Sequence, residues 1–369
     1  MQTIILGSGP QALFLLRVLS KSGVNVTLLA LDKKVAFNSK YGEKIFLKTE
    51  KDFLDKVLSF KDKAKKLYIC GGRELQFILE QLPNIFDIYD VYPKPLKAIR
   101  IFSDKLSTYN FLNNYQIKSP RSYSLSELIN MGSFENKIIA KWNTEVLDSN
   151  LLTFKTRVFS RFIDFDKFIG AINPESAKYL VFQDFIEGGD ENNISLQLGF
   201  SENELKVDLL TRKMRVSPNG FTSYIEEVSL GKDFSEQIFN PLKDAFKDLD
   251  YSGLAEVEFK YCQYEKTYYL IEVNPRPCGL VSALKGKYGS LNTFIYGGKS
   301  PVELNSRRLV RWSSILRDVQ ACIYILKEKK SLVFFIRNIM SIFTANTYDI
   351  FDVNDIKPFF SQFKRKKRS

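Results

Sequence analysis

Two β-patterned runs, residues 253–261 (GLAEVEFKY) and 268–274 (YYLIEVN), limit this chain more than any other feature. Paired as an antiparallel hairpin around the 262–268 loop, they set Glu258 opposite Glu272 and Glu256 opposite Asn274. Period-two alternation then turns all four side chains to one face. Carboxylates directly opposite each other repel, so stability alone does not account for them. A hard divalent cation removes the conflict, because Mg2+ takes oxygen ligands, commonly one or two carboxylates completed by substrate phosphates and water. The competing explanation is a solvated polar face on a half-exposed sheet. Asn274-Pro275-Arg276 speaks against it: an amide ligand, a rigid turn and a guanidinium suited to phosphate follow the carboxylates at once.

The rest of the sequence restricts the chemistry such a site can use. Histidine is absent, which removes Ser-His-Asp hydrolysis, HExxH zinc chemistry and every imidazole base. Catalysis must run on carboxylates, lysines, arginines, amides and metal ions. Fifty-four Lys and Arg against 42 Asp and Glu leave a net charge of +12, which points to anionic lipid, nucleic acid or a phosphorylated ligand. The aromatic residues are spread through core-like patterns rather than interleaved with a basic stripe, so no nucleic-acid partner is expected. Cys70, Cys262, Cys278 and Cys322 stand far apart and read as reduced thiols of a cytoplasmic protein. No secretory leader pattern and no apolar stretch of about 18 residues is present, so neither secretion nor a membrane span is expected.

Residues 1–92 alternate strand and helix patterns, which predicts an open, Rossmann-like parallel sheet covered by helices. Pro93 and Pro95 punctuate its end. Between 187 and 301 the alternation becomes period-two, which predicts an antiparallel sheet, so the fold class is α/β followed by α+β. Gly7-Ser8-Gly9-Pro10-Gln11-Ala12 forms a G-x-G-x-x-A turn with Asp32 about twenty residues on, the arrangement of a dinucleotide site. An NAD(P)-dependent oxidoreductase is therefore the alternative function, although any tight strand-to-helix turn needs the same glycines. Gly298-Lys299-Ser300 imitates the end of a phosphate-binding P-loop, but Thr293 stands where a glycine is required and Pro301 follows at once.

The acidic hairpin and its Asn-Pro-Arg sequel resemble the ATP-grasp superfamily of carboxylate-amine and carboxylate-thiol ligases, over roughly residues 1–315. The resemblance implies four divisions: a Rossmann-like pre-ATP-grasp domain at 1–95, a small lobe at 96–182, a C-terminal lobe at 183–317 and a helical basic tail at 318–369. It implies Mg2+ at Glu258, Glu272 and Asn274, and ATP phosphates at Lys105, Lys141 and Lys213 or Arg215. Gln183, Asp184 and Ile186 would line the adenine site, and Asp190 would take ribose hydroxyls. Arg276 would stabilise the transferring phosphoryl group. The residues after the second lysine, Trp142-Asn143-Thr144-Glu145, lack the glycine-rich phosphate flap of many members, so no lid contacts carry over.

The implied reaction activates a carboxylate as an acyl phosphate and joins it to an amine, a reaction that needs positioning and charge neutralisation more than covalent help. Residues 331–343 form an apolar helical stretch, and Lys364, Arg365, Lys366, Lys367 and Arg368 follow. A helix packed on the body is the common outcome of such a pattern; a helix lying on the anionic inner face of a membrane is the other reading. The tail also resembles those of ATP-grasp ligases found with bacterial surface-polysaccharide enzymes, which implies small-molecule or glycan-linked acid and amine substrates. Sequence leaves the oligomeric state open.

Overall fold

A computed structural model describes residues 2–145, 154, 156–218, 220–295, 302–305, 309–329 and 331–363. The Gly298-Lys299-Ser300 sequence and the terminal basic run lie outside them. Strands β1 (Gln2–Leu6), β2 (Asn25–Ala30), β3 (Glu43–Phe46), β4 (Ala64–Ile69) and β5 (Asp90–Tyr92) form a parallel sheet in the order 3-2-1-4-5. Both faces are covered: Ile5 joins one apolar cluster with Leu13 and Leu16, while Ile4 and Leu6 join another with Phe53. This double burial is why these strands read as continuous apolar runs. Gly7 ends β1 at φ +114°, and a Cβ there would stand 3.2 Å from the Gly71 nitrogen, so the crossing of the β1 and β4 ends demands glycine.

A four-stranded antiparallel sheet follows, built from β6 (Ser122–Tyr123), β7 (Ile138–Trp142), β8 (Thr156–Phe159) and β9 (Leu180–Asp184) in the order 6-9-7-8. The third sheet contains β10 (Asn193–Ser201), β11 (Glu204–Val216), β12 (Thr222–Glu227), β13 (Gly253–Cys262), β14 (Thr267–Asn274), β15 (Arg311–Ser313) and β16 (Thr347–Tyr348), ordered 14-13-10-11-12-15-16. All its pairs are antiparallel except β15 with β16. The expected combination of a parallel sheet with later antiparallel sheets is thus the one observed. One face of the third sheet packs on the helices Leu96–Ser103, Lys105–Asn113 and Asn240–Asp248, with Phe102, Phe200, Phe246 and Tyr251 in mutual ring contact.

The segment after residue 317 is not a separate appendage. β16 joins the third sheet, and Asp318 at the start of the Ile315–Lys329 helix pairs with Arg215 of β11. Further on, Asp355 accepts Arg17 Nε at 2.9 Å in a buried ion pair with the first helix of the parallel-sheet domain. The helix Leu332–Thr344 packs by one edge, with Ile342 buried, while Leu332, Val333, Ile336, Met340 and Phe343 are exposed. Val333 is 79% and Phe343 73% exposed, unusual for apolar residues on one helix.

Candidate active site

The β13–β14 hairpin has the register that the alternation predicts: Glu256 faces Asn274 and Glu258 faces Glu272. Immediately beyond, Phe259 pairs with Leu270, which leaves Ile271 without a partner in a bulge. The carbonyl freed by the bulge accepts the Tyr109 hydroxyl at 2.6 Å, tying β14 to the Lys105–Asn113 helix. Asp104 caps that helix by accepting the Ser107 amide at 2.7 Å. Lys105 is its first residue and points its ammonium at Glu272, 3.6 Å away.

A cleft of about 690 Å³ opens over this arrangement. It is lined by Lys105, Lys141, Glu256, Glu258, Glu272 and Arg276, and by Gly72 and Gln76 of the parallel-sheet domain. Lys213 lies behind this lining, 2.7 Å from Glu258. Burial and the neighbouring Lys105 push the buried Lys141 ammonium down to about 8, against the pull of Glu272 and Glu258. Burial opposes the charge on Glu272 too, yet Lys105 and the Asn274 amide hold its carboxyl at about 2. Glu258 differs: burial raises it, and Lys213 only partly offsets this. The carboxylates of Glu258 and Glu272 and the Asn274 amide oxygen would make an all-oxygen ligand set, which suits Mg2+ rather than a softer metal. Asn274 donates its amide to Glu272 at 3.1 Å, and its oxygen accepts from Arg276 at 3.4 Å.

Other expected site residues lie elsewhere. Gln183, expected to read an adenine edge, is fully buried in the middle sheet, where its amide donates to Ser122 Oγ at 3.0 Å and its oxygen accepts the Tyr109 hydroxyl at 3.4 Å. Its side chain fastens β9 to its surroundings, because β9 is a central strand with partners on both sides. Asp184 accepts the Tyr123 hydroxyl at 3.0 Å, Ile186 is half-buried just after β9, and Asp190 opens an exposed single turn, Asp190–Asn192, before β10. These three follow the connection from the middle sheet into the third. Arg215 leaves the site altogether. Register slips at Met214, so Lys213 pairs with Ile225 and Arg215 with Tyr224. Adjacent residues of β12 point to opposite faces, and Arg215 turns away from Lys213 toward Asp318, which it grips with two nitrogens at 2.7 Å each.

Sequence reasoning missed Asn143. Directly after β7, its side-chain amide donates to Asp104, its side-chain oxygen accepts the Leu106 amide at 3.1 Å, and its carbonyl accepts the Lys105 amide at 3.2 Å. It clasps the end of the strand that carries Lys141 to the start of the helix that carries Lys105. A lone Asn after an apolar strand offers no signal of this.

The dinucleotide alternative loses its carboxylate. Asp32 pairs with Lys34 at 2.6 Å and accepts the Ser8 hydroxyl, so it is engaged within the chain itself.

Residues 102–280 match the ATP-grasp domain family. The chain carries an ATP-grasp domain. The matched span runs from the Lys105 helix through the acidic hairpin and Arg276. The chain is also similar to a D-aspartate ligase of Enterococcus faecium (strain Aus0004), 23% identical over 232 residues. The alignment covers 59% of this chain and 55% of the ligase, so this chain matches only about half of that relative's length. Among solved structures, N5-carboxyaminoimidazole synthetase from Staphylococcus aureus complexed with ADP superposes with a TM-score of 0.66 at 15% identity, over 84% of this chain and 81% of that one. Biotin carboxylase from Campylobacter jejuni superposes with a TM-score of 0.61 at 13% identity, over 82% and 73%. The likeness in fold thus reaches beyond residues 102–280.

Proposed function

We propose that this ATP-grasp protein is an ATP-dependent carboxylate-amine ligase. The observation that carries the reading is the facing pair Glu258 and Glu272, which line one cleft and are each paired with a lysine. Bound Mg2+ would be held by Glu258, Glu272 and Asn274, and would neutralise phosphate charge. Lys105, Lys141 and Lys213 orient and neutralise the triphosphate, and Arg276 stabilises the charge that builds on the transferring phosphoryl group. Adenine contacts would come from the connection after β9, through its backbone and Ile186, with Asp190 at the ribose. A substrate carboxylate oxygen attacks the γ-phosphorus, the bond to ADP breaks, and an acyl phosphate results. The amine then attacks the acyl carbon, phosphate leaves, and the nitrogen gives up a proton. The cleft would hold the reactants together, which is most of what such chemistry requires.

The D-aspartate ligase similarity supports an amino acid as one partner, and a glycan-linked acid or amine remains within the same proposal. An ADP-release screen of amino acids crossed with uronic acids and cell-wall precursors tests it: ADP should appear only when acid and amine are both present. Glu272→Gln should abolish that release, and unchanged turnover in this variant would remove the metal assignment.

We propose further that the ligase works at the inner face of an anionic membrane. No described helix is long and apolar enough to cross one. The exposed face of Leu332–Thr344 and the net charge of +12 instead favour peripheral contact. The protein should sediment with phosphatidylglycerol vesicles at low salt, and Ile336→Glu with Phe343→Glu should abolish this without altering ADP release. Failure of the native protein to sediment refutes this part alone.

A further inference from the structure

The cleft carries its own counter-ions where a divalent cation would sit. Lys213 Nζ lies 2.7 Å from Glu258 Oε2 and Lys105 Nζ 3.6 Å from Glu272 Oε2, so each of the two facing carboxylates already has an ammonium partner. The third possible ligand is engaged as well, since Asn274 contacts both Glu272 and Arg276. Among the described residues, no group of three or more His, Cys, Asp or Glu is arranged to hold a metal ion. A free Mg2+ ion would therefore compete with two resident cations and still find too few protein oxygens for its octahedral shell. Phosphate oxygens change both conditions. They complete the shell, and they offer the lysines new anionic partners through charge-assisted hydrogen bonds.

We infer that Lys105 and Lys213 are specificity-determining residues that admit a divalent cation only together with a triphosphate, each ammonium holding a metal position until a phosphate draws it away. The inference rests on the ligase reading and deepens it to an order of binding. Glu256 fits the scheme as the second anion for Lys213. Its carboxylate is buried beside the cleft floor, fixed by Ser195 Oγ at 2.6 Å and Gln197 Nε2 at 2.9 Å, and it faces Asn274 across the hairpin. When Glu258 turns to a metal, Lys213 retains one carboxylate neighbour and gains the phosphate. The lysines thus keep two close carboxylates compatible, the task that the sequence pattern alone assigned to a metal.

The test is Mn2+ binding followed by electron paramagnetic resonance on the full chain, without and with a non-hydrolysable ATP analogue. Native protein should bind Mn2+ weakly alone and about tenfold or more tighter with the analogue, the equivalent of ~1.4 kcal/mol. Lys213→Met should tighten Mn2+ binding in the absence of nucleotide by roughly tenfold, and Lys105→Met should do so to a smaller degree, in keeping with its longer contact. Lys213→Arg should restore weak binding. If Lys213→Met does not fold, Lys105→Met with Lys105→Arg as its control decides the matter. Unchanged or weaker Mn2+ affinity in the methionine variants, with the analogue still bound by native protein, overturns the gating and leaves the ligase reading intact. No binding of the analogue to native protein overturns both.

Discussion

Lys141 should be a residue that the protein keeps at a cost to its own stability. It is buried at the C-terminal end of β7, and burial together with Lys105 pushes its ammonium down to about 8 from an ordinary 10.5. Between those two values the unfolded chain binds more protons than the folded one, so this group makes the native protein more stable as pH rises through that window. At pH 7 the folded state bears the full penalty of a confined charge, about 3 kcal/mol from the pKa gap; near pH 9.5 about 1 kcal/mol of it is left. Lys141→Met keeps the length of the side chain without its charge. The variant should therefore be more stable than native protein by about 3 kcal/mol at pH 7, with the difference narrowing to about 1 kcal/mol at pH 9.5 and nearly closing by about pH 11. Urea denaturation of the nucleotide-free proteins at these three values reads the difference directly, because groups that titrate elsewhere cancel between the two. Nucleotide affinity should move the other way, falling roughly 10- to 100-fold with the loss of a charged contact to phosphate. Equal stability at pH 7, or a difference that does not shrink as pH climbs, would refute the reasoning.

Asp318→Ala should destabilise the fold by about 3–5 kcal/mol, because it strands the buried Arg215 guanidinium, while nucleotide affinity stays unchanged because the pair lies outside the cleft. Denaturation and binding measured on one preparation separate the two effects. Asn143→Ala should lose about 0.5–1.5 kcal/mol, because the Leu106 amide and one oxygen of Asp104 lose their partner while Asp104 keeps the Ser107 amide. Its distinguishing effect is a weaker apparent affinity for ATP, since the clasp joins the elements that carry Lys105 and Lys141. A variant of Asn143 that loses stability but binds ATP as native protein does would confine this residue to a structural role.

The parallel-sheet domain was legible because strands buried on both faces must be apolar throughout, and a glycine turn must separate them from helices. The C-terminal segment was not legible in the same way. Its attachment depends on Asp318 meeting Arg215, and on Asp355 meeting Arg17 more than 330 residues earlier. Pairings at such separation leave no periodicity in either partner. What the pattern did carry was the apolar character of residues 331–343, but not that the helix would bury one edge and leave the other bare.

Within the site, two register slips separate what alternation could and could not deliver. Alternation along β13 and β14 assigned Glu256, Glu258, Glu272 and Asn274 to one face, and the slip at Ile271 lies just beyond that set, so the counting held. On β11 the slip falls at Met214, between Lys213 and Arg215, the two residues the resemblance offered for the phosphates, and only Lys213 turns to the hairpin's carboxylates. Nothing in the local sequence marks either bulge by a glycine or proline. The physical cause is on the partner side: Arg215 gains a buried carboxylate and the ring of Tyr224, 4.2 Å from its guanidinium, only if it turns over. A third case has another origin. Gln183 holds its expected place in β9, but its amide satisfies Tyr109 and Ser122 because a polar side chain in a buried central strand must be paired there. Position along a strand is written in the sequence; which face a residue turns to after a bulge, and which neighbours claim its polar atoms, are decided by the packing around it.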